Sequence, residues 1–225
     1  MKTRNLIFQF LFCVTGMQLL IAHTLSGQDT IYLDNPSFED IPRAGTAYTP
    51  SIVGWNDCGH ALFPGETPPD IHPVPAHAWD VSMQSFDGKT YLGLVVRYNG
   101  TYESVSQKLT QVLKKDKCYS FSAFLARSDS YRSGTMRSNA KLENFISPAV
   151  LRIWGGNKSC DLAELLGQSY PVDHANWKEY NFVLWPKEDY SFITIAAYFA
   201  DDADAGYNGH VMVDNLSQIT EMECK

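Results

Sequence analysis

The chain has 225 residues and a formal net charge of −7 at pH 7, with 44% hydrophobic and 19% charged residues. No run of Lys and Arg supplies the basic face that nucleic acid demands, so a nucleic-acid partner is excluded. The acidic residues are scattered and read as a solvated surface.

In chain order, the first 28 residues read as a signal peptide. Lys2 and Arg4 make a positive start, Leu6 to Ala22 is an apolar stretch broken by Gln9, Thr15, Gly16 and Gln18, and small or polar residues follow to Gln28. Those breaks leave too short an apolar run for a membrane span, and no later segment supplies one. Phe12 ahead of Cys13 does not fit lipoprotein processing. Cleavage is expected between Ala22 and Gln28, leaving residues 29–225 as one exported domain, secreted or held in the cell envelope.

Asp34-Asn35-Pro36-Ser37-Phe38-Glu39 and then Gly54-Trp55 open the mature part, and Phe63 to Pro75 reads as a Pro-rich loop. Thr90 to Arg97, the turn Tyr98-Asn99-Gly100-Thr101 and Tyr102 to Leu109 form a hairpin signal, because Asn-Gly suits the turn that the strand twist requires. Cys118 to Arg127 is β-rich, Ser128 to Ser147 reads as a second long loop, and Ala149 to Trp154 is β-rich again. Cys160 to Leu166 is expected to be a short helix with Asp161 as its N-cap. Trp177 to Trp185, Ser191 to Phe199 and His210 to Ile219 complete the strands. Many short strands joined by turn-formers imply an all-β fold, an antiparallel β-sandwich.

Export leaves Cys58, Cys118, Cys160 and Cys224, an even set that favours two disulfides in an oxidising compartment. If Cys118–Arg127 and Ala149–Trp154 pair as a hairpin, with Arg127 opposite about residue 150, Cys118 falls opposite about residue 159. Cys118–Cys160 is then the expected bridge, with Cys58–Cys224 by elimination.

Strand alternation separates two sets of side chains. With Leu92, Leu94, Val96, Leu151, Ile153, Ile193, Ile195 and Ala197 in the core, the opposite face carries Tyr91, Val95, Arg97, Arg152, Trp154, Phe192 and Tyr198. Arg127 sits at a strand end, and Glu103 is placed to orient an arginine. Rings stack on sugar C–H faces and guanidinium forks bind hydroxyls or carboxylates. Arg97, Glu103, Arg127, Arg152, Trp154 and Tyr198 are therefore the expected ligand-binding set; the competing reading is a sheet edge sealed by ion pairs.

The ends of the mature chain resemble those of carbohydrate-binding modules with the galactose-binding-like jelly-roll fold. The resemblance lies in Asn35 to Glu39, Gly54-Trp55 and Asp214-Asn215, with Ile219 after them. Tyr91 to Arg97, Cys118 to Ser122, Leu151 to Asn157 and Tyr207-Asn208-Gly209 are similar to exported modules of Bacteroidetes-type bacteria. That likeness implies a jelly roll whose first and last strands meet, with calcium held by Glu39 and Asp214 in a structural role; two hard oxygen ligands suit that ion.

Asp70, His72 and His77, with His60 upstream, could suggest zinc, but their spacing fits no established site and reads as a solvated loop. Asp201-Asp202-Ala203-Asp204 superficially resembles a calcium loop and lacks its later Gly and Glu. No nucleophile elbow, metalloprotease helix or phosphate loop is present. The sequence therefore favours a non-catalytic module recognising a glycan or cell-surface ligand. A structural or adhesive envelope protein docking a protein partner is the second reading, and a jelly-roll polysaccharide hydrolase or lyase the third.

Overall fold

The computed structural model describes residues 29–46, 48–59, 67–134, 141–200 and 206–224. The expected signal peptide, His60 and Asp201 to Asp204 lie outside the described residues. The chain folds as a β-sandwich of the jelly-roll type. One sheet holds β1 (Thr30–Ile31), β3 (Asp70–His72), β4 (Tyr91–Val96), β6 (Cys118–Ala126), β11 (Lys178–Leu184), β13 (Gly209–Asp214) and β14 (Ile219–Met222). The other holds β2 (Asn56–Asp57), β5 (Ser104–Leu113), β9 (Ser147–Gly156), β10 (Glu164–Gln168) and β12 (Tyr190–Phe199). A separate ribbon pairs β7 (Arg132–Gly134) with β8 (Leu142–Asn144).

Strand order follows from the register. In the first sheet β6 is central: β11 runs along one side, and β14 then β13 along the other. β4 adds to β13, and β3 to β4. The second sheet runs β10-β9-β12-β5-β2. Ser147 and Pro148, at the start of β9, pair in parallel with Gly209 and His210 and stitch the sheets at one edge. Every other pairing is antiparallel.

The core lies between the sheets and contains every side chain that alternation placed there. Leu92, Leu94, Val96, Val211, Val213 and Leu125 meet Val105, Leu151, Ile153, Ile193, Ile195 and Ala197. Removing each such side chain from water stabilises the sandwich by about 1.5–3 kcal/mol. A second apolar layer lies outside the first sheet, where Tyr91, Val95 and Met212 are covered by Val81, Tyr131 and Phe145. The two segments read as loops thus carry structure: Asp70–His72 is a strand, Pro75–Asp80 is a 3₁₀ helix, and β7–β8 lies within 128–147.

Four expectations are corrected. The turn at Tyr98-Asn99-Gly100-Thr101 does not close a hairpin: β4 pairs with β13 and β3, β5 with β12 and β2, and only Val96 bridges to Tyr102, so the turn carries the chain from one sheet to the other. Cys160 to Leu166 is not helical: Cys160 has φ +60°, and Glu164 begins β10, which pairs with β9. Cys118–Ala126 does not pair with β9, so the register argument for a Cys118–Cys160 bridge has no basis. The disulfides are Cys58–Cys160 and Cys118–Cys224, with Cα separations of 5.5 and 5.3 Å. Met222 of β14 stands opposite Cys118 on β6, which brings Cys224 within reach. Cys58, just after β2, and Cys160, just after β9, link two parts of the second sheet's margin.

Candidate functional site

The ligand-binding set expected from the sequence divides between the two sheets. Both the odd positions of β4 and the even positions of β9 and β12 point away from the core, but they leave the sandwich on opposite sides. Arg152, Trp154 and Tyr198 share the outer face of the second sheet. Trp154 is paired with Thr194 and Leu165, and Arg152 with Ala196 and Gln168. The Arg152 guanidinium carbon lies 3.6 Å from the centre of the Tyr198 ring, a cation–π contact, and Arg152 Nε donates to Gln168 Oε1 at 2.7 Å. Tyr102 meets Tyr198 edge-on at 5.8 Å. The Trp154 indole N–H has no hydrogen-bond partner among the described residues.

The Cys58–Cys160 bridge fixes the turn after β9, and Asp161 O lies 3.3 Å from Thr194 Oγ1, which also donates to Ser106 Oγ at 3.0 Å. That end of the face is therefore closed. Towards the opposite end the floor is small, with Ser104 opposite Ala196, and Arg152, Tyr198 and Tyr102 stand around it, each half-buried. Such a patch combines apolar rings, a fixed cation and a carboxamide within one strand pair.

Arg97 and Glu103 are not on that face. Glu103 is 2% exposed and accepts three hydrogen bonds: from Arg97 Nη2 at 2.7 Å, Thr67 Oγ1 at 2.7 Å and Val95 N at 3.0 Å. The Val95 N–H points to the edge where β3 no longer runs, because β3 begins at Asp70 opposite Gly93. The Glu103 carboxylate substitutes there for a missing strand partner. Burial pushes its carboxyl up to about 7, with Asp70 adding to the effect and Arg97 opposing it. Arg97 and Glu103 thus form an ion pair at the sheet margin, with Glu103 buried. Arg127 also works structurally: its Nη1 donates to Ile146 O at 2.5 Å, closing the base of segment 128–147.

Asp70 and His72, grouped by spacing, meet Tyr131 and His210 from distant parts of the chain under that segment. Tyr131 OH donates to Asp70 Oδ2, and Gly45 N donates to Asp70 Oδ1 at 2.7 Å. Burial holds the Asp70 carboxyl above its ordinary value. His210 accepts from Ser128 N at 2.7 Å, and its Nδ1 lies 2.5 Å from Phe145 O, so a single ring pins both feet of the segment. His72 is fully buried and stacked on Tyr91 at 5.3 Å; burial drives it down to about 3, so it is neutral at physiological pH. Its reading as a solvated loop residue is thereby corrected. His72 sits over Gly93, where any Cβ would fall 2.7 Å from the ring. Apolar alternation in Tyr91 to Arg97 was visible from the sequence, but the identity of the cover was not.

Glu39 and Asp214 converge on one loop. Glu39 Oε1 accepts from Lys89 N at 2.7 Å and Thr90 N at 3.0 Å, while Asp214 Oδ2 accepts from Phe86 N at 2.8 Å and Asp87 N at 3.0 Å. Asp214 Oδ1 takes Asn215 N at 2.7 Å. Burial lifts the Asp214 carboxyl to about 6. The donors facing these oxygens are N–H groups, an arrangement that clamps the loop. Among the described residues no three His, Cys, Asp or Glu side chains gather as a metal site.

No family model matches the chain, and no curated protein matches it. Solved structures do. An arabinose-bound α-L-arabinofuranosidase is similar over 86% of this chain, which spans only 27% of that one, at 12% identity and a TM-score of 0.49. A cleaved adhesin domain of Lys-gingipain from Porphyromonas gingivalis is similar over 83% of this chain and 96% of its own, at 10% identity and 0.45. The CBM22-1 xylan-binding domain of Paenibacillus barcinonensis Xyn10C is similar over 81% of this chain and 99% of its own, at 16% identity and 0.40. A CBM4 and a family 16 carbohydrate-binding module are also among the similar structures, each at 13% identity and a TM-score of 0.42.

Proposed function

We propose that this chain is an exported binding module that takes a glycan or another cell-surface ligand on the outer face of its second sheet. The observation that carries the reading is the Arg152 guanidinium laid over Tyr198, beside Trp154, on a single strand pair. An aromatic ring offers a platform to sugar C–H groups, and a guanidinium already held in plane by Gln168 loses little freedom on binding hydroxyls or a carboxylate. Two disulfides suit an oxidising compartment. No helix among the described residues is long and apolar enough to cross a membrane.

The test is a glycan array followed by titration of any positive. Trp154→Ala and Arg152→Ala should each weaken binding roughly tenfold, the usual scale for one stacked ring or one charge-assisted contact. A silent array, together with capture of an envelope protein that Trp154→Ala abolishes, would hand this face to a protein partner. Binding unchanged in both variants would remove the site.

Calcium at Glu39 and Asp214 is part of the same proposal. Two carboxylates reaching one loop from the first and last parts of the fold are suitable oxygen donors, and the ion would fasten those parts together. Melting in calcium and in chelator decides it; identical midpoints leave Glu39 and Asp214 as loop clamps alone.

A further inference from the structure

The outer face of the first sheet has two halves of opposite character. Over β4 and β13 it presents Tyr91, Val95 and Met212, and other parts of the chain cover them. Over β6, β11 and β14 it presents Ser120, Ser122, Asn181, Val183 and Thr220, around a groove of about 410 Å³. A neighbouring groove, bounded on its far side by Gln168 and Tyr170, shares Asn181, Phe182 and Val183 with the first. The two meet at β11 and form one trough. β11 is hydrogen-bonded as a strand only to β6 among the described residues, so its other edge offers backbone groups as well.

The chemistry of the trough is distinctive. In a chain with 19% charged residues, no side chain lining either groove is charged. The Asn181 and Gln218 carboxamides make no side-chain hydrogen bond among the described residues. Apolar surface is nevertheless displayed around it: Tyr170 is 84% exposed, and Val183 and Trp185 are each 59% exposed. Trp185 lines neither groove; it lies two residues beyond Val183, just past the end of β11.

We propose that this trough is a second binding site, for a neutral polysaccharide chain, centred on β11 and the outer face of the first sheet, with only its far wall reaching the strand that carries Gln168. Carboxamides and hydroxyls both donate and accept, which matches sugar hydroxyls. Tyr170 and Trp185 supply rings for the C–H faces of successive residues. The uncharged lining gives no counter-charge to a uronate, sulfate or phosphate, whose desolvation would go uncompensated. An open trough admits a polymer at any point along its length. The proposal takes its ligand class from the binding-module reading and uses different residues, except that Gln168, at the far wall of the neighbouring groove, also holds Arg152. A molecule with both sites would bridge two chains, or hold one at two points with the gain that linkage brings.

Affinity electrophoresis of the oxidised mature protein tests it, in gels containing xylan, hydroxyethylcellulose or galactomannan, with polygalacturonate as the acidic counter-probe. Trp185→Ala and Asn181→Ala should each weaken retardation about tenfold in a neutral gel, as for loss of one stacking ring or a comparable contact. Their melting temperatures should match the parent's, since both positions are exposed. Trp154→Ala should keep that component, and the Trp154→Ala/Trp185→Ala double variant should lose all retardation. Trp185→Ala and Asn181→Ala running like the parent in every gel that retards it would overturn the second site, while sensitivity to Trp154→Ala would leave the first standing. Effects of Trp185→Ala confined to polygalacturonate would overturn the neutral class. A concentration-dependent dimer abolished by Trp185→Ala would give the trough to a second copy and overturn the proposal. A parent retarded in no gel would sink both sites.

Discussion

Replacing Glu103 with Gln should change the slope of stability against pH. Desolvation raises the Glu103 carboxyl from 4.5 to about 7, Asp70 adds to it, and Arg97 and Thr67 pull the other way. An acid whose folded value lies above its unfolded value keeps its proton longer in the folded state. Between pH 4.5 and about 7 unfolding therefore releases a proton, and stability falls as pH rises through that window. Outside the window this group contributes no slope. The gap from 4.5 to about 7 corresponds to about 3 kcal/mol. Gln keeps the shape and one acceptor oxygen in place of two, a loss that is the same at every pH, and has no proton to lose. Urea melts of both proteins from pH 4.5 to 8.5 should show the difference moving towards the Gln variant by about 3 kcal/mol, or about 1–2 M in midpoint. The raised Asp70 carboxyl is present in both, and only its interaction with Glu103 differs between them. Parallel curves would refute the reasoning. So would a difference moving towards the parent as pH rises, because attraction to Arg97 would then outweigh burial.

Three other outcomes follow from the geometry. The Cys58→Ser/Cys160→Ser double variant opens a bridge with a sequence separation of 102 and should lose about 4–5 kcal/mol in urea melts, by the chain-entropy scale. A loss below about 1 kcal/mol would mean that the unbridged unfolded chain is already constrained. Tyr131→Phe leaves buried Asp70 without its phenol donor and should lower stability by roughly 1–3 kcal/mol, read from the same melts. Asp214→Ala deprives Phe86, Asp87 and Asn215 N–H groups of their acceptor, so limited proteolysis should cut near residues 86–90 faster than in the parent. Unchanged cutting would show that Glu39 holds the loop unaided.

Local pattern was legible in the sequence, and long-range pairing was not. Alternation in Thr90 to Arg97 and Ser191 to Phe199 identified Leu92, Leu94, Ile193 and Ile195 as core, and the structure has all of them there. Parity names a face without naming the sheet. Arg97 and Arg152 both point away from the core, and the structure puts them on opposite sides of it. The disulfide pairing has the same origin: a Cys118–Cys160 bridge requires β6 beside β9, and β6 meets β11, β13 and β14 instead. Cys160 to Leu166 reads as a short helix with Asp161 as its N-cap, but sheet pairing of Glu164 and Leu165 to Gly155 and Trp154 prevails. Gly167, in Leu166-Gly167-Gln168, was the signal that could have warned of an irregular strand and brought Gln168 to Arg152. Nothing local announced that His210 would pin residues 128 and 145.

The Cys118–Cys224 bridge also bears on how the fold carries load. β14 is held to β6 by a ladder from Met222–Cys118 to Thr220–Ser120, and a pull on its C-terminal side would open that ladder one rung at a time. The covalent link stands just beyond its outermost rung. Tension arriving at residue 224 passes directly into the first residue of β6, the strand gripped along one side by β11 and along the other by β14 and β13. A tether on that side would stress the best-anchored strand of the sheet, and the rungs of β14 would be spared.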